Sequence, residues 1–308
     1  MKVIHDLKEV GGSQRKICLA IGMFDGVHLG HQQVIRQTVL DAAQYGGSSL
    51  VLTFDQHPSV VVAPERTPLL IYPISQRLRS FEALGVETVA VTQFTRAFSQ
   101  QSADAFVRNI VETLGRLQSV SVGAEFNFGH NREGNVEVLR ELGNQWGFEV
   151  HATAAVALDG AVVSSTRIRE AIRQGHLDLA TQMLGRSYSL TGPVIHGDGL
   201  GRKLGFPTAN VSIEGLACPP SGVYAIHARR QNDLFRGVVN VGFRPTLGRP
   251  APQLQVEAHL FDFDRPIYGE DLEIIFQKKL REEQKFSSIE ALAGQILRDI
   301  AAAKEALS

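Results

Sequence analysis

The chain has 308 residues, 44% of them hydrophobic and 20% charged, an ordinary globular profile with length for two domains. Lys and Arg number 31 against 32 Asp and Glu, a formal charge of −1, which excludes a non-specific grip on nucleic acid as the main activity. No apolar run approaches the roughly 20 residues that span a bilayer, the polar start from Met1 to Lys16 is no signal peptide, and Cys18 and Cys218 form neither a disulfide framework nor a zinc pattern. The expectation is a soluble, cytoplasmic protein with reduced thiols and neither a membrane nor a nucleic-acid partner.

Up to about residue 185 strands alternate with helices. Ile17 to Phe24 reads as a buried strand, Leu29 to Tyr45 as a helix and Ser48 to Asp55 as a second strand. A proline-rich loop follows, with Pro58, Pro64, Pro68 and Pro73. Ile74 to Leu84 is helical and ends at Gly85, a left-handed cap. Val86 to Phe94 is a strand; Ser102 caps a helix that runs through Leu114 and closes at Gly115. Leu117 to Phe126, Asn135 to Trp146 and Phe148 to Val156 complete a strand, helix, strand series. Such alternation predicts a parallel, Rossmann-like sheet with helices on both faces and ligands at the carboxyl ends of the strands.

After about residue 186 the rhythm changes. Ser189 to His196, Thr208 to Ile213, Val223 to Arg230, Leu234 to Phe243, Leu254 to Phe263 and Leu272 to Leu280 are closely spaced strands joined by polar turns. They predict an antiparallel barrel. A last helix opens on a capping box of Ser287 and Glu290, with Ile289, Leu292, Ala293, Ile296 and Ile300 along one face. The fold class is thus α/β, with an antiparallel β-barrel and a terminal helix after the boundary at 185/186.

The run from Gly22 to His31, Gly-Met-Phe-Asp-Gly-Val-His-Leu-Gly-His, joins the first strand to the first helix. Gly22, Gly26 and Gly30 permit tight turns and close approach of a ligand to the backbone. The helix start offers free N–H groups and a positive dipole end to an anion. His28 and His31, three apart, reach one ligand together. A His-x-Gly-His pair suits nucleotidylyl transfer, donating to ATP phosphate oxygens as charge builds at the α-phosphorus. Zinc ligation lacks further ligands at local spacing, and two plain loop histidines are the dull alternative. An aminoacyl-tRNA synthetase would carry a lysine-rich second motif that is not found. Instead Ser164-Ser-Thr-Arg-Ile-Arg169 leads into a helix. Ser164, Ser165 and Thr166 hydroxyls with Arg169 make a second phosphate clamp.

At these residues the chain resembles the bacterial bifunctional riboflavin kinase and FAD synthetase family over nearly its whole length. The runs with His28, His31, Phe24 and Asp25, and with Ser164 to Arg169, match its adenylyltransferase half. Two positions depart: Gln56 in Thr53-Phe-Asp-Gln-His-Pro58 stands where the family has proline, and Glu125 in Val122-Gly-Ala-Glu-Phe-Asn-Phe-Gly129 where it has Asp or Asn. The extra methylene of Glu125 implies an altered nucleotide contact with the carboxylate retained.

The segment from Gly192 to Asn210 is glycine-rich, and its backbone N–H groups can wrap phosphates through Gly197, Gly201 and Gly205 with Lys203 beside them. Its end, Gly205-Phe-Pro207-Thr208-Ala-Asn210, resembles the flavokinase motif. The resemblance implies that Thr208 and Asn210 present oxygens to Mg²⁺ and ATP, hard donors that suit this ion. It also implies that Glu257 is the general base for the riboflavin 5′-hydroxyl, and that Arg244, Arg281 and Phe286 lie at the flavin. His196 and His259 read as structural or surface residues. The family therefore implies an adenylyltransferase domain over 1–185 and a riboflavin kinase domain over 186–308, acting on ATP, riboflavin and FMN. A single-activity flavokinase with a degenerate first half, supported by Gln56 and Glu125, and a non-catalytic flavin sensor are the alternatives. Oligomeric state is not legible in the sequence.

Overall fold

The computed structural model describes residues 1–10, 14–244 and 253–308, with backbone alone at Arg244 and Gln253. These form two compact units: Met1–Leu70 with Ile74–Ser165, and Ile71–Pro73 with Thr166–Ser308.

The first unit is built on six parallel strands, β1 (Lys2–Ile4), β2 (Ile17–Ile21), β3 (Ser48–Phe54), β4 (Thr88–Thr92), β5 (Leu117–Gly123) and β6 (Glu149–Thr153), in the order β1-β4-β3-β2-β5-β6. Between them run α1 (Leu29–Gln44), α2 (Ser59–Val62), α3 (Ile74–Ala83), α4 (Arg96–Ser99), α5 (Ala103–Leu114) and α6 (Val136–Trp146). Successive strand residues divide between two cores, as a period of two requires. Leu19, Ile21, Leu50, Leu52, Val120 and Val122 join the α5 and α6 side chains. Ala20, Val51, Val89 and Val91 join Val34, Ile35 and Phe81 from α1 and α3. Both sheet faces are covered, and β2 between them is apolar throughout. Ser102 and Asn135 cap α5 and α6 through the N–H groups of Ala105 and Val138. The expected first strand ends earlier, at Ile21, because Phe24 turns into the left-handed region with φ 49°. Strand β1, which pairs with β4, the hairpin of β7 (Ala157–Leu158) and β8 (Ala161–Val162), and the short helices α2, inside the expected proline-rich loop, and α4 escaped the sequence reading. Asp159 and Gly160 form the hairpin turn with φ 52° and 74°, an Asp-Gly signal for a tight two-residue connection.

The helices α7 (Ser165–Gln174) and α8 (Leu177–Leu184) precede the second sheet, so the change of rhythm near residue 186 comes after both. Beyond Ser165 they pack with the second unit. There β9 (Ser189–Ile195), β10 (Ala209–Val211), β11 (Gly222–Arg230), β12 (Asp233–Arg244), β13 (Gln253–Leu260) and β14 (Asp271–Arg281) close into a six-stranded barrel, every neighbouring pair antiparallel. A short α9 (Leu200–Lys203) interrupts the glycine-rich segment, and α10 (Ile289–Ala306) ends the chain. The α10 cap is Ser288, whose side chain accepts from the Ala291 N–H, rather than the expected Ser287. Outward residues Val223, Ala225 and Val238 pack on Ala303 and Ile300 of α10. The alternate residues Tyr224, Ile226 and Ala228 are buried inside the barrel.

Candidate active sites

In the parallel sheet, β2 lies between β3 and β5. The chain leaves β2 to one side and reaches β5 on the other, so the carboxyl ends of these two strands border the crevice of an open α/β sheet. The loop from Gly22 to Leu29 occupies it. Phe24, Gly26 and Val27 all have positive φ, 49°, 79° and 41°. Left-handed Phe and Val cost on the order of 1–3 kcal/mol each and persist because both are buried. The Phe24 ring meets the Phe81 and His31 rings edge-on at 5.9 and 5.3 Å, and a Cβ at Gly22 would stand 3.0 Å from it.

His28 caps α1: its Nδ1 accepts from the His31 backbone N–H at 3.4 Å. Neutral His28 then carries its proton on Nε2. The two imidazoles stack, centroids 3.6 Å apart at 20°. Gly30 permits this, since a Cβ there would lie 3.3 Å from the His28 ring. Ser165 Oγ, 140 residues further along the chain, donates to the Asp25 carbonyl at 2.9 Å. The loop and the serine run therefore meet at Asp25 and Ser165. Ser164 precedes α7, while Thr166 and Arg169 stand in the second unit; their part in a clamp rests on the run alone. Glu125 is exposed in an open recess with Phe126, Asn127 and Arg132. Gln56 donates to the Phe94 carbonyl at 3.1 Å, a bond that proline could not make.

Two features were not read from the sequence. Arg77 is fully buried and donates to the carbonyls of Met23 (2.8 Å) and Phe54 (2.9 Å) and to Thr53 Oγ1 (3.2 Å). It ties the carboxyl end of β3 to the loop after β2. Burial lowers its pKa to about 10 against the opposing pull of Asp25 and Asp55, so it remains charged near neutrality. The second feature is a cavity of about 540 Å³ lined by Phe54, Phe94, Phe98, Phe106, Phe126 and Phe128, with Ile21 at the end of β2 and Arg96 and Arg132 among its polar groups. Rings of Phe54, Phe94 and Phe98 contact one another with centroids 5.3 to 5.6 Å apart. The size fits the roughly 300–1,000 Å³ of small-molecule sites. The available signal was positional: Phe54, Phe94 and Phe126 end or just follow strands.

In the barrel unit, strand register assembles the polar groups. Asn210 faces Glu257 across β10 and β13, and Glu257 faces Asn240 across β13 and β12. Directly paired residues share one sheet face, so the three form a row. Asn240 in turn pairs with Val223, which packs under α10; the row is on the outer wall of the barrel. A cavity of about 270 Å³ lies there, lined by Thr208, Asn240, Glu257, Arg281, Phe286 and, from α10, Leu292 and Ile296. A second cavity of about 270 Å³ takes the inward pair Ala209 and Ala258, with Arg202, Pro207, Asp264, Arg265 and Tyr268. Thr208 lines both.

The glycine-rich segment closes on this wall. A Cβ at Gly197 would stand 2.3 Å from Asn210 Nδ2, and one at Gly201 would stand 2.5 Å from the Phe206 carbonyl. Gly199 and Gly205 take φ 68° and 85°, and Lys203 ends α9. His259 holds the motif: its Nδ1 lies 2.8 Å from the Pro207 carbonyl. His196 stacks on Tyr268 at 3.9 Å. Arg281 makes a two-pronged ion pair with buried Asp299 of α10, at 2.9 and 2.7 Å, and its guanidinium lies 5.8 Å from the Phe286 ring centre. Arg244 ends β12, and its side chain lies outside the described part, as do residues 245–252 of the adjoining run.

Comparison with known proteins adds a second line of evidence. Residues 11–167 match the family model for FAD synthetase and residues 184–307 that for riboflavin kinase. A bifunctional riboflavin kinase/FMN adenylyltransferase of Haemophilus influenzae is 37% identical over 305 residues, 99% of this chain and 98% of the relative. The Escherichia coli K12 protein of the same description is 34% identical over 99% of this chain and 97% of its own. Among solved structures, one titled a macrolide-efflux protein from Streptococcus pneumoniae superposes with a TM-score of 0.82 at 28% identity, covering 98% of both chains. Among the described residues no helix is long and apolar enough to cross a membrane. With two matched domains and full-length relatives, the chain belongs to the bifunctional riboflavin kinase/FMN adenylyltransferase family.

Proposed function

We propose that the two family activities divide along the chain, with FMN adenylylation assigned to residues 1–185 and riboflavin phosphorylation to residues 186–308. The enzyme phosphorylates riboflavin to FMN with one ATP and adenylylates FMN with another, yielding FAD and pyrophosphate. It works in the cytoplasm on small molecules.

In the kinase part, Glu257 accepts the proton of the riboflavin 5′-hydroxyl as that oxygen attacks the γ-phosphorus and ADP departs. A positioned base contributes roughly 10²–10⁴-fold. The outer-wall cavity, with Phe286 and Arg281, takes the flavin, and the cavity across Thr208 takes ATP, whose phosphates the Gly197–Gly205 loop and Lys203 hold. Thr208 and Asn210 offer a hydroxyl and an amide oxygen beside the loop that closes on Asn210. These hard, neutral donors fit Mg²⁺ carried on ATP phosphates; when bound, it offsets charge on the transferring phosphoryl group.

In the adenylyltransferase part, an oxygen of the FMN phosphate attacks the α-phosphorus of ATP and pyrophosphate leaves. His28 and His31 donate to the phosphate oxygens, and the turn at Gly22, Phe24, Asp25, Gly26 and Gly30 lets ATP approach the backbone at the start of α1. Ser164 and Ser165 complete that side, and Glu125 flanks the nucleotide. No covalent enzyme intermediate is needed; positioning and electrostatics supply the rate. The phenylalanine cavity, opening beside Ile21, takes the isoalloxazine ring.

The observation that carries this reading is that each compact unit holds its own polar constellation beside its own cavity. The test has opposite arms. His28→Ala should abolish FAD formation while FMN accumulates from riboflavin. Glu257→Ala should stop riboflavin phosphorylation while supplied FMN still becomes FAD. Chromatography of the flavins separates these outcomes, and loss of both activities in either folded variant overturns the division.

A further inference from the structure

Arg132 lines both the phenylalanine cavity and the open recess beside it. The side chain is exposed and has no ion pair within 4 Å among the described residues. Its backbone is in the left-handed region at φ 59°, directly after Asn131 at 53° and close to Gly129 at 76°. Glycine and asparagine adopt that region readily; for a long side chain such as arginine it is uncommon. The surrounding loop enforces it. The His130 N–H donates to the Gln101 carbonyl at 2.7 Å, and Phe128 and Gly134 exchange both backbone bonds at 3.0 Å. The Ala103 N–H donates to Glu133 Oε1 at 2.7 Å, and His130 Nδ1 lies 3.2 Å from the Ser99 carbonyl. A Cβ at Gly129 would stand 2.7 Å from the Ala103 nitrogen. Strain that a loop over-determines this way points to a role for the side chain it aims.

We infer that Arg132 binds the 5′-phosphate of FMN and so sets the preference of the adenylyltransferase site for a phosphorylated flavin. The inference rests on the reading that the phenylalanine cavity takes the flavin ring. A ring bound there leaves its tail as the one strongly charged part, a dianion near pH 7. A guanidinium grips such a group with paired hydrogen bonds. The other charged or titratable groups lining the cavity and recess are Arg96, His57, His130 and Glu125. Glu125 opposes the phosphate, which makes a fixed cation beside it the more necessary.

The full-length enzyme, supplied with FMN and ATP, reads the site through FAD formation. Arg132→Gln should raise the KM for FMN by on the order of 10- to 100-fold, the range for charged hydrogen bonds, with Arg132→Lys intermediate. Competitive inhibition by lumiflavin, a phosphate-free isoalloxazine that the kinase site cannot phosphorylate, should be unchanged in Arg132→Gln. The wild-type KM should climb as pH falls through about 6, where the phosphate takes up a proton, and the variant should lose that dependence. A denaturant unfolding profile of the first unit that matches the wild type shows that the variant is folded there. An unchanged KM, a parallel loss of lumiflavin inhibition, or a loss produced by Arg96→Gln instead would overturn the role of Arg132. Lumiflavin inhibition that is absent in the wild type, or untouched by Phe98→Ala, would remove the cavity reading beneath it. If Phe98→Ala weakens lumiflavin while Arg132→Gln changes nothing, the cavity stands and the arginine alone is refuted.

Discussion

The parallel-sheet unit and the barrel unit each assemble a polar constellation, by different means. In the sheet the groups come from segments beyond strand ends: His28 from the loop after β2, Arg77 from α3 and Ser165 from the start of α7. Left-handed turns and buried side chain to carbonyl bonds hold those segments in place. In the barrel the pairing of β10, β13 and β12 puts Asn210, Glu257 and Asn240 in one row, and the glycine-rich backbone is laid against it. The first site should therefore be vulnerable to losing a buried anchor, the second to an added atom on the backbone.

The sharpest way to break this contrast is Arg77→Met. It leaves the Met23 and Phe54 carbonyls without their buried donor, at a cost of roughly 1–3 kcal/mol for each unsatisfied group. FAD formation should be lost with riboflavin phosphorylation retained, and denaturant unfolding should show the first unit weakened. Equal loss of both activities would show that the anchor does not act locally.

The counterpart in the barrel is Gly197→Ala. Its Cβ would stand 2.3 Å from the Asn210 amide, so loop or side chain must move. Displacement of reacting groups by about 1 Å can cost ~10²-fold. Riboflavin phosphorylation should fall toward that extent while FAD formation from supplied FMN stays unchanged. Unaltered kinase kinetics would show that Asn210 does not depend on the loop.

The smallest effect concerns the thiols, one in each unit. Burial raises the Cys18 pKa and pushes Cys218 up to about 12. A thiol of that pKa has a thiolate fraction of only ~10⁻⁴ at pH 8. Iodoacetamide should therefore label the native protein very slowly, Cys218 gaining about tenfold per pH unit until its pKa is approached, with both activities intact. Fast labelling of Cys218 at pH 8 would show that the segment around it opens readily.

What the sequence by itself determined was local and periodic. Alternating strands and helices announced a covered parallel sheet, closely spaced strands a barrel, and both are present. Ser102, Asn135, Gly85 and Gly115 marked helix ends because a capping oxygen or a positive φ is a property of one residue and its near neighbours. The spacing of His28 and His31 likewise put two imidazoles on one turn. The tertiary structure decided the rest: that Arg77 is an internal tether, that phenylalanines from three strand ends share one cavity, and that the row containing Glu257 faces α10 outside the barrel. No short-range pattern encodes these facts. They depend on which loops converge and on strand register, where a slip of one residue turns every side chain to the opposite face.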